Sequence, residues 1–263
     1  DGITPLYGVL YRPSNFSPDK SYPVINHLCA SISISMAPKG SFHSSRSAYT
    51  DLHYFHGAAM AALGFIVLQF DSRGTPLRGK AFQNESYGCS YNACNREDHI
   101  GAIQQLAKRY PSMDINRVGS FSLGYRSGLM HFLQCQDLYK VHVQGRILDE
   151  RLLSCTLCGD KWEGRDGPSE DKQHAEDLVE NLQGKLLLMN PINDSQASSY
   201  PPAATFRVVD ALQKANKDFD MLMVPGANLS YGDYATRKTW DYLVRHLLGE
   251  EPPKEFSFET HTL

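Results

Sequence analysis

Long hydrophobic runs are missing from this sequence. None approaches the roughly 18 consecutive apolar residues that a bilayer-crossing helix needs, so no membrane span is expected. Charge of one sign is scarce too. Twenty-six Lys and Arg stand against 29 Asp and Glu, for a formal net charge of -3, which supplies no electrostatic reason to expect nucleic acid as a partner. No glycine-rich loop follows an apolar β-rich run, so no phosphate cradle and no nucleotide cofactor is expected. His, Asp and Glu do not cluster at metal-ligand spacing, and no metal is expected. No internal repeat and no tract rich in Pro, Gly or Ser divides the 263 residues, so residues 1–263 read as one domain with one sizeable core. The polar start Asp1-Gly2-Ile3-Thr4-Pro5 lacks the apolar stretch of a signal peptide; any export address would lie outside this chain.

Six cysteines are present. Cys89 and Cys94 form one local pair and Cys155 and Cys158 a C-x-x-C, a set that could hold zinc as four thiolates, form two local disulfides or stay reduced. The second pair lacks a glycine-rich knuckle, so zinc is not the expectation. Four Asn-x-Ser tripeptides, at Asn15, Asn84, Asn193 and Asn228, would accept glycans in an exported eukaryotic protein. The favoured setting is a secreted, periplasmic or extracellular domain of a larger protein.

Apolar β-rich runs recur at Leu6–Tyr11, Tyr22–Leu28, Phe65–Phe70, Arg117–Phe121, Lys140–Val143, Lys185–Met189 and Phe219–Val224. Several lack the polar alternation of a half-exposed strand, which suits strands buried on both faces. Helical spacing appears between and after the later ones: Ile100, Ile103 and Leu106; Phe206, Val209 and Leu212; and Trp240, Leu243, Val244, Leu247 and Leu248, with a stop at Gly249. The expected fold class is α/β, a mostly parallel sheet with helices on both faces and an antiparallel start made by the first two strands. Cys29–Ser47 and Arg151–Lys172 break the rhythm and read as excursions. In such sheets, sites gather at the carboxyl ends of the strands. The acidic pair Glu97-Asp98, just ahead of Ile100, needs only helix-dipole stabilisation to explain it.

The sharpest local feature is Ser120-Phe121-Ser122-Leu123-Gly124, between the strand through Arg117-Val118-Gly119 and a helical stretch from Leu129 to Leu133. It approximates the nucleophile elbow G-x-S-x-G, in which a serine occupies a strained strand-to-helix turn. Ser120 replaces the first glycine. A serine here also fits a helix N-cap, whose hydroxyl accepts from a first-turn N–H.

A wider set of segments resembles one family. Leu6-Tyr7-Gly8-Val9-Leu10-Tyr11-Arg12-Pro13, Tyr22-Pro23-Val24-Ile25-Asn26-His27, Asp71-Ser72-Arg73-Gly74-Thr75-Pro76, Asp210-Ala211-Leu212-Gln213-Lys214-Ala215 and Trp240-Asp241-Tyr242-Leu243-Val244-Arg245-His246 are similar, in order, to the C-terminal catalytic domain of the dipeptidyl-peptidase/prolyl-oligopeptidase serine peptidases. The resemblance implies an α/β-hydrolase fold and a Ser–Asp–His triad that cleaves short peptides through an acyl-enzyme. It also implies a peptide substrate or ligand and a homodimer formed partly through the last helix. Family members usually carry a β-propeller ahead of this domain, and nothing in residues 1–263 corresponds to one.

Carried over residue by residue, the triad is incomplete. Counting back from Asp137-Leu138-Tyr139, the nucleophile falls on Ser122; counting forward from Arg117-Val118-Gly119, it falls on Gly124, because the segment is two residues shorter than the family pattern. With Ser122 as nucleophile, the Leu123 backbone N–H is one oxyanion donor. Asp194, in Asn193-Asp194-Ser195, matches the acid, although that tripeptide is also ordinary turn chemistry. The histidine position in Val224-Pro225-Gly226-Ala227-Asn228-Leu229 is Leu229. Cys29 stands where the family places the oxyanion tyrosine. The remaining histidines after Asp194, His246 and His261, do not belong to the last strand-to-helix loop. The expectation is a degenerate peptidase domain; the alternative is an active serine hydrolase that uses Ser122 with an unrecognised base.

Overall fold

The computed structural model describes residues 2–28, 34–37, 49–88, 95–148, 174–192, 202–225, 232–256 and 258. Seven strands form one sheet: β1 (Tyr7–Tyr11), β2 (Tyr22–His27), β3 (Ile66–Asp71), β4 (Met113–Tyr125), β5 (Tyr139–Leu148), β6 (Lys185–Pro191) and β7 (Asp220–Val224). Their spatial order is β1-β3-β2-β4-β5-β6-β7. Every pairing is parallel except β1 with β3. The expected antiparallel start is present, but β1 alone supplies it: β1, exposed at Tyr7, runs back along the edge against β3, whereas β2 is a fully buried interior strand between β3 and β4. The burial of each run settles the matter, because a strand buried on both faces belongs inside the sheet.

Period-two alternation sends neighbours to opposite cores. Val24, Ile66, Leu68, Leu186 and Leu188 join one cluster, while Ile25, Val67, Leu187 and Met189 join the other. Helices α1 (Tyr49–Ala62) and α6 (Gly232–Leu243) cover the second cluster through Met60, Ala61, Ala235 and Leu243. Helices α3 (Arg96–Arg109), α4 (Arg126–Gln134) and α5 (Pro202–Lys214) cover the first through Ile103, Leu129, Phe132, Ala204, Val208 and Leu212. A short helix, α2 (Lys80–Asn84), carries no buried residue. Each fully buried large aliphatic side chain contributes about 1.5–3 kcal/mol relative to exposure. One helical face differs from the sequence expectation. The inward stripe of α5 is Ala204, Val208 and Leu212 at i, i+4 spacing, with Phe206 turned out and 47% exposed. Small Ala204 lets α5 approach the sheet, which a phenylalanine at that point of the face would prevent.

The last helix closes with a wider turn over Val244–Leu248 and stops at Gly249, whose φ of 77° is unfavourable for residues with a Cβ.

Asp98 does more than face a helix dipole. Its carboxylate accepts from the Arg73 backbone N–H at 2.8 Å and from Arg73 Nε at 3.0 and 3.1 Å, with Arg73 Nη2 2.9 Å from Oδ1. Asp98 is buried and Arg73 mostly so, and the bonded carboxylate raises the guanidinium pKa above its ordinary value. Asn95 caps α3 by accepting from the Asp98 N–H. Asp71 in turn accepts from the Ser35 hydroxyl and the Ala37 N–H. The Asp71-Ser72-Arg73 motif therefore ties the exit of β3 to α3 and to the segment after β2. Asp98→Ala would take the close carboxylate away from the mostly buried Arg73 guanidinium and leave the exposed Glu97 carboxylate at 3.9 Å as a weaker counter-charge, at an expected cost of about 3 kcal/mol in chemical denaturation. A loss within the ordinary surface range of about 0.5 kcal/mol would show that solvent, not Asp98, satisfies Arg73.

Candidate functional site

The parallel strands β2, β4, β6 and β7 all end at the same edge of the sheet. Cys29 follows β2, Ser122 lies near the end of β4, and Asp194 and Leu229 follow β6 and β7. Two backbone hydrogen bonds draw these exits together. The Leu28 N–H donates to Phe121 O at 2.8 Å, and the Ile192 N–H donates to Val224 O at 3.0 Å. The segments that carry Asp194 and Leu229 thus begin side by side. Cys29, Asp194 and Leu229 themselves lie outside the described residues, as do His261, Cys89, Cys94, Cys155 and Cys158.

Ser122 is fully buried, and its Oγ has no hydrogen-bond partner among the described residues. No described imidazole serves it as a base. It stands in register with Gln144 of β5, on the same strand face as Ser120, whose hydroxyl meets His142 Nδ1 at 2.8 Å. Strand alternation puts both serines beneath α4. A Cβ at Gly128, in the first turn of α4, would collide with the Ser122 Cβ and Oγ, so the two elements touch there. Leu123 faces the opposite core and stands in register with Gly145. The strand runs on through Gly124, which has φ of 93°, to Tyr125, and α4 starts at Arg126. The strand is therefore longer at its carboxyl end than the sequence pattern alone implies.

Among the described residues, buried polar groups of β2, β4 and β5 join internal networks that the sequence did not announce, two of which involve buried histidines with lowered pKa values. Asn26 Nδ2 donates to Tyr139 Oη at 2.7 Å and to His99 Nδ1 at 3.0 Å, and His131 Nε2 lies 2.9 Å from Tyr139 Oη. Because the amide nitrogen can only donate, His99 Nδ1 accepts and the ring is neutral. Burial lowers the His99 pKa to about 3. In the second network, His142 Nε2 meets Gln144 Oε1 at 3.1 Å; burial lowers its pKa to about 4, partly opposed by the bonds to Gln144 and Ser120. Period-two placement of Ser120, His142 and Gln144 on neighbouring strands was visible in retrospect, but only the pairing of β4 with β5 set their register.

His246 lines a groove of about 240 Å³ with Asp220, Lys238, Asp241, Tyr242 and Arg245. Its ring packs on Tyr242 at 4.3 Å, and burial lowers its pKa. Residues of β4 do not line that groove. Cys135 is a buried free thiol whose pKa burial pushes up to about 11. Among the described residues, no group of three or more His, Cys, Asp or Glu side chains is placed to hold a metal, and no helix is long and apolar enough to cross a membrane.

Residues 52–249 match the family model described as the prolyl oligopeptidase family. The chain belongs to that family. Human dipeptidyl peptidase 8 is 25% identical over 228 residues, which is 84% of this chain and 24% of the relative. Among solved structures, a Bacteroides ovatus protein assigned as a dipeptidyl aminopeptidase IV superposes with a TM-score of 0.75 at 22% identity, over 94% of this chain and 34% of its own. Porphyromonas gingivalis dipeptidyl peptidase 4 gives 0.73 at 22% identity, over 92% and 34%. These likenesses establish the α/β-hydrolase fold. The chain spans about a quarter of the length of the curated relative it matches.

Proposed function

We propose that this family domain binds peptides on the peptidase scaffold without running the Ser–Asp–His acyl-enzyme reaction. The observation that carries the reading is Leu229, a hydrocarbon at the position where the family keeps its general base. Serine is a weak nucleophile at neutral pH unless a base takes its proton as it attacks, and leucine has no lone pair to offer. Cys29 at the oxyanion tyrosine position adds to the reading, since a thiol is a weak donor on a short stem. The missing hydrogen-bond partner of Ser122 among the described residues is in keeping with it.

The alternative is an active hydrolase in which Ser122 and Asp194 recruit another base. It draws support from the pairing of the β6 and β7 exits, which starts the acid and base loops side by side as a working triad requires. A fluorophosphonate probe decides between them. Purified protein held with excess probe and read by intact mass is expected to carry no adduct. An adduct mapped to Ser122 would overturn the proposal and install the active reading.

A further inference from the structure

Resting on the proposed reading, we infer that Gly124, not Ser122, occupies the nucleophile position of this domain, so that the chain has lost the nucleophile as well as the base. A nucleophile elbow works because its central residue sits on a sharp strand-to-helix turn in a strained conformation, with its side chain exposed at the top of the sheet. That conformation can be located on the backbone. Between the start of β4 and the start of α4, the described residue with φ in the left-handed range is Gly124 at 93°. Ser122 is not among the non-glycine residues of positive φ.

Three further observations agree. After an earlier shift at Val118/Gly119, the ladder between β4 and β5 is regular from Gly119–Val141 to Leu123–Gly145, then shifts again before Tyr125–Leu148. The strand thus leaves its regular path at Gly124, two residues beyond Ser122. Ser122 has the surroundings of a strand residue beneath a helix: it is wholly buried, lies on the Ser120 face, and is so close to α4 that residue 128 must be glycine to clear it. A nucleophile needs the opposite surroundings, an exposed hydroxyl with room for an acyl group. Finally, the forward count from Arg117-Val118-Gly119 reaches Gly124. In that register Ser122 fills the small-residue position two before the nucleophile, which Gly128 across from it accommodates.

The test restores the other parts and asks which residue reacts. In a Leu229→His/Cys29→Tyr protein, the base and the oxyanion tyrosine return while Ser122 and Gly124 stay. A second protein adds Gly124→Ser. Phosphonylation forms a P–O bond to the hydroxyl oxygen and breaks P–F; fluoride leaves, and the hydroxyl proton passes to the imidazole. The expected result is no adduct on the peptide containing Ser122 in the first protein, and at least tenfold faster labelling, mapped to residue 124, in the second. An adduct on Ser122 in the first protein overturns the inference, and so does equal reactivity of the two. The first protein decides alone should the Gly124→Ser change prevent folding, because it keeps the native β4–α4 turn. Labelling of Ser122 in the unmodified chain would sink the proposed function itself; labelling only after the base is restored would sink this inference and leave that reading standing.

Discussion

Turnover of proline-containing dipeptide amides by the purified chain is expected to lie about a million-fold below that of a triad-complete catalytic domain, the loss seen when a serine peptidase loses its base. That factor corresponds to roughly 8 kcal/mol of transition-state stabilisation. The proton on a serine hydroxyl has to leave as the oxygen attacks the carbonyl, and on the proposed reading the base position holds Leu229, which cannot receive it. Weak donation from Cys29 would cost about a further 10²–10³ if an oxyanion contact is lost, although such losses do not add when the residues act as a unit. If Gly124 fills the nucleophile position, the remaining rate owes nothing to serine at all. The measurement is kcat for this chain beside its Ser122→Ala variant. Equal rates at the buffer background are expected, and a rate that disappears with Ser122 would show a working nucleophile.

Acid is expected to destabilise the fold steeply. His99 and His142 are buried neutral, with pKa values lowered to about 3 and about 4. In the unfolded chain both titrate near 6.5. Below that pH, the unfolded state takes up protons that the folded state refuses. The stability these rings contribute is therefore complete above about pH 6.5 and is lost as pH falls toward their folded values. Each ring contributes a slope approaching 1.4 kcal/mol per pH unit in that window, so the unfolding free energy should drop by roughly 3 kcal/mol between pH 6 and pH 4.5. That is a large share of the 5–15 kcal/mol typical of a folded domain. Carboxylates add their own acid dependence, so the comparison that isolates the effect is His142→Gln. Glutamine can accept from Ser120 and donate to Gln144 without titrating, and its slope should be about half as steep over this range. Unchanged slopes in chemical denaturation would mean that the His142 ring is solvated in the native state.

The strands were legible because apolar runs buried on both faces leave a mark that does not depend on neighbours. All seven runs became strands. Their order was not legible, since β2 and β1 have similar composition and only hydrogen-bond pairing tells the interior strand from the edge. Phe206 misled for a related reason: a helical period fits more than one face, and packing against the sheet chose the stripe of Ala204, Val208 and Leu212. Asp98 looked sufficient as a helix-dipole charge because its partner, Arg73, is 25 residues away in the chain.

By itself, the sequence determined the composition of the site region: the leucine at 229, the cysteine at 29 and the two serines and one glycine between Arg117 and Tyr125. These are chemical facts that no folding alters, and the proposal of a domain without its base starts from them. Tertiary structure alone decided the surroundings of each group. Two serines two residues apart are equivalent as letters; pairing with β5 and the descent of α4 bury Ser122 and give the left-handed turn to Gly124. Ordinary histidines became neutral core groups in the same way, because a ring's pKa depends on the water and hydrogen bonds around it, and those come from chain segments far apart in sequence.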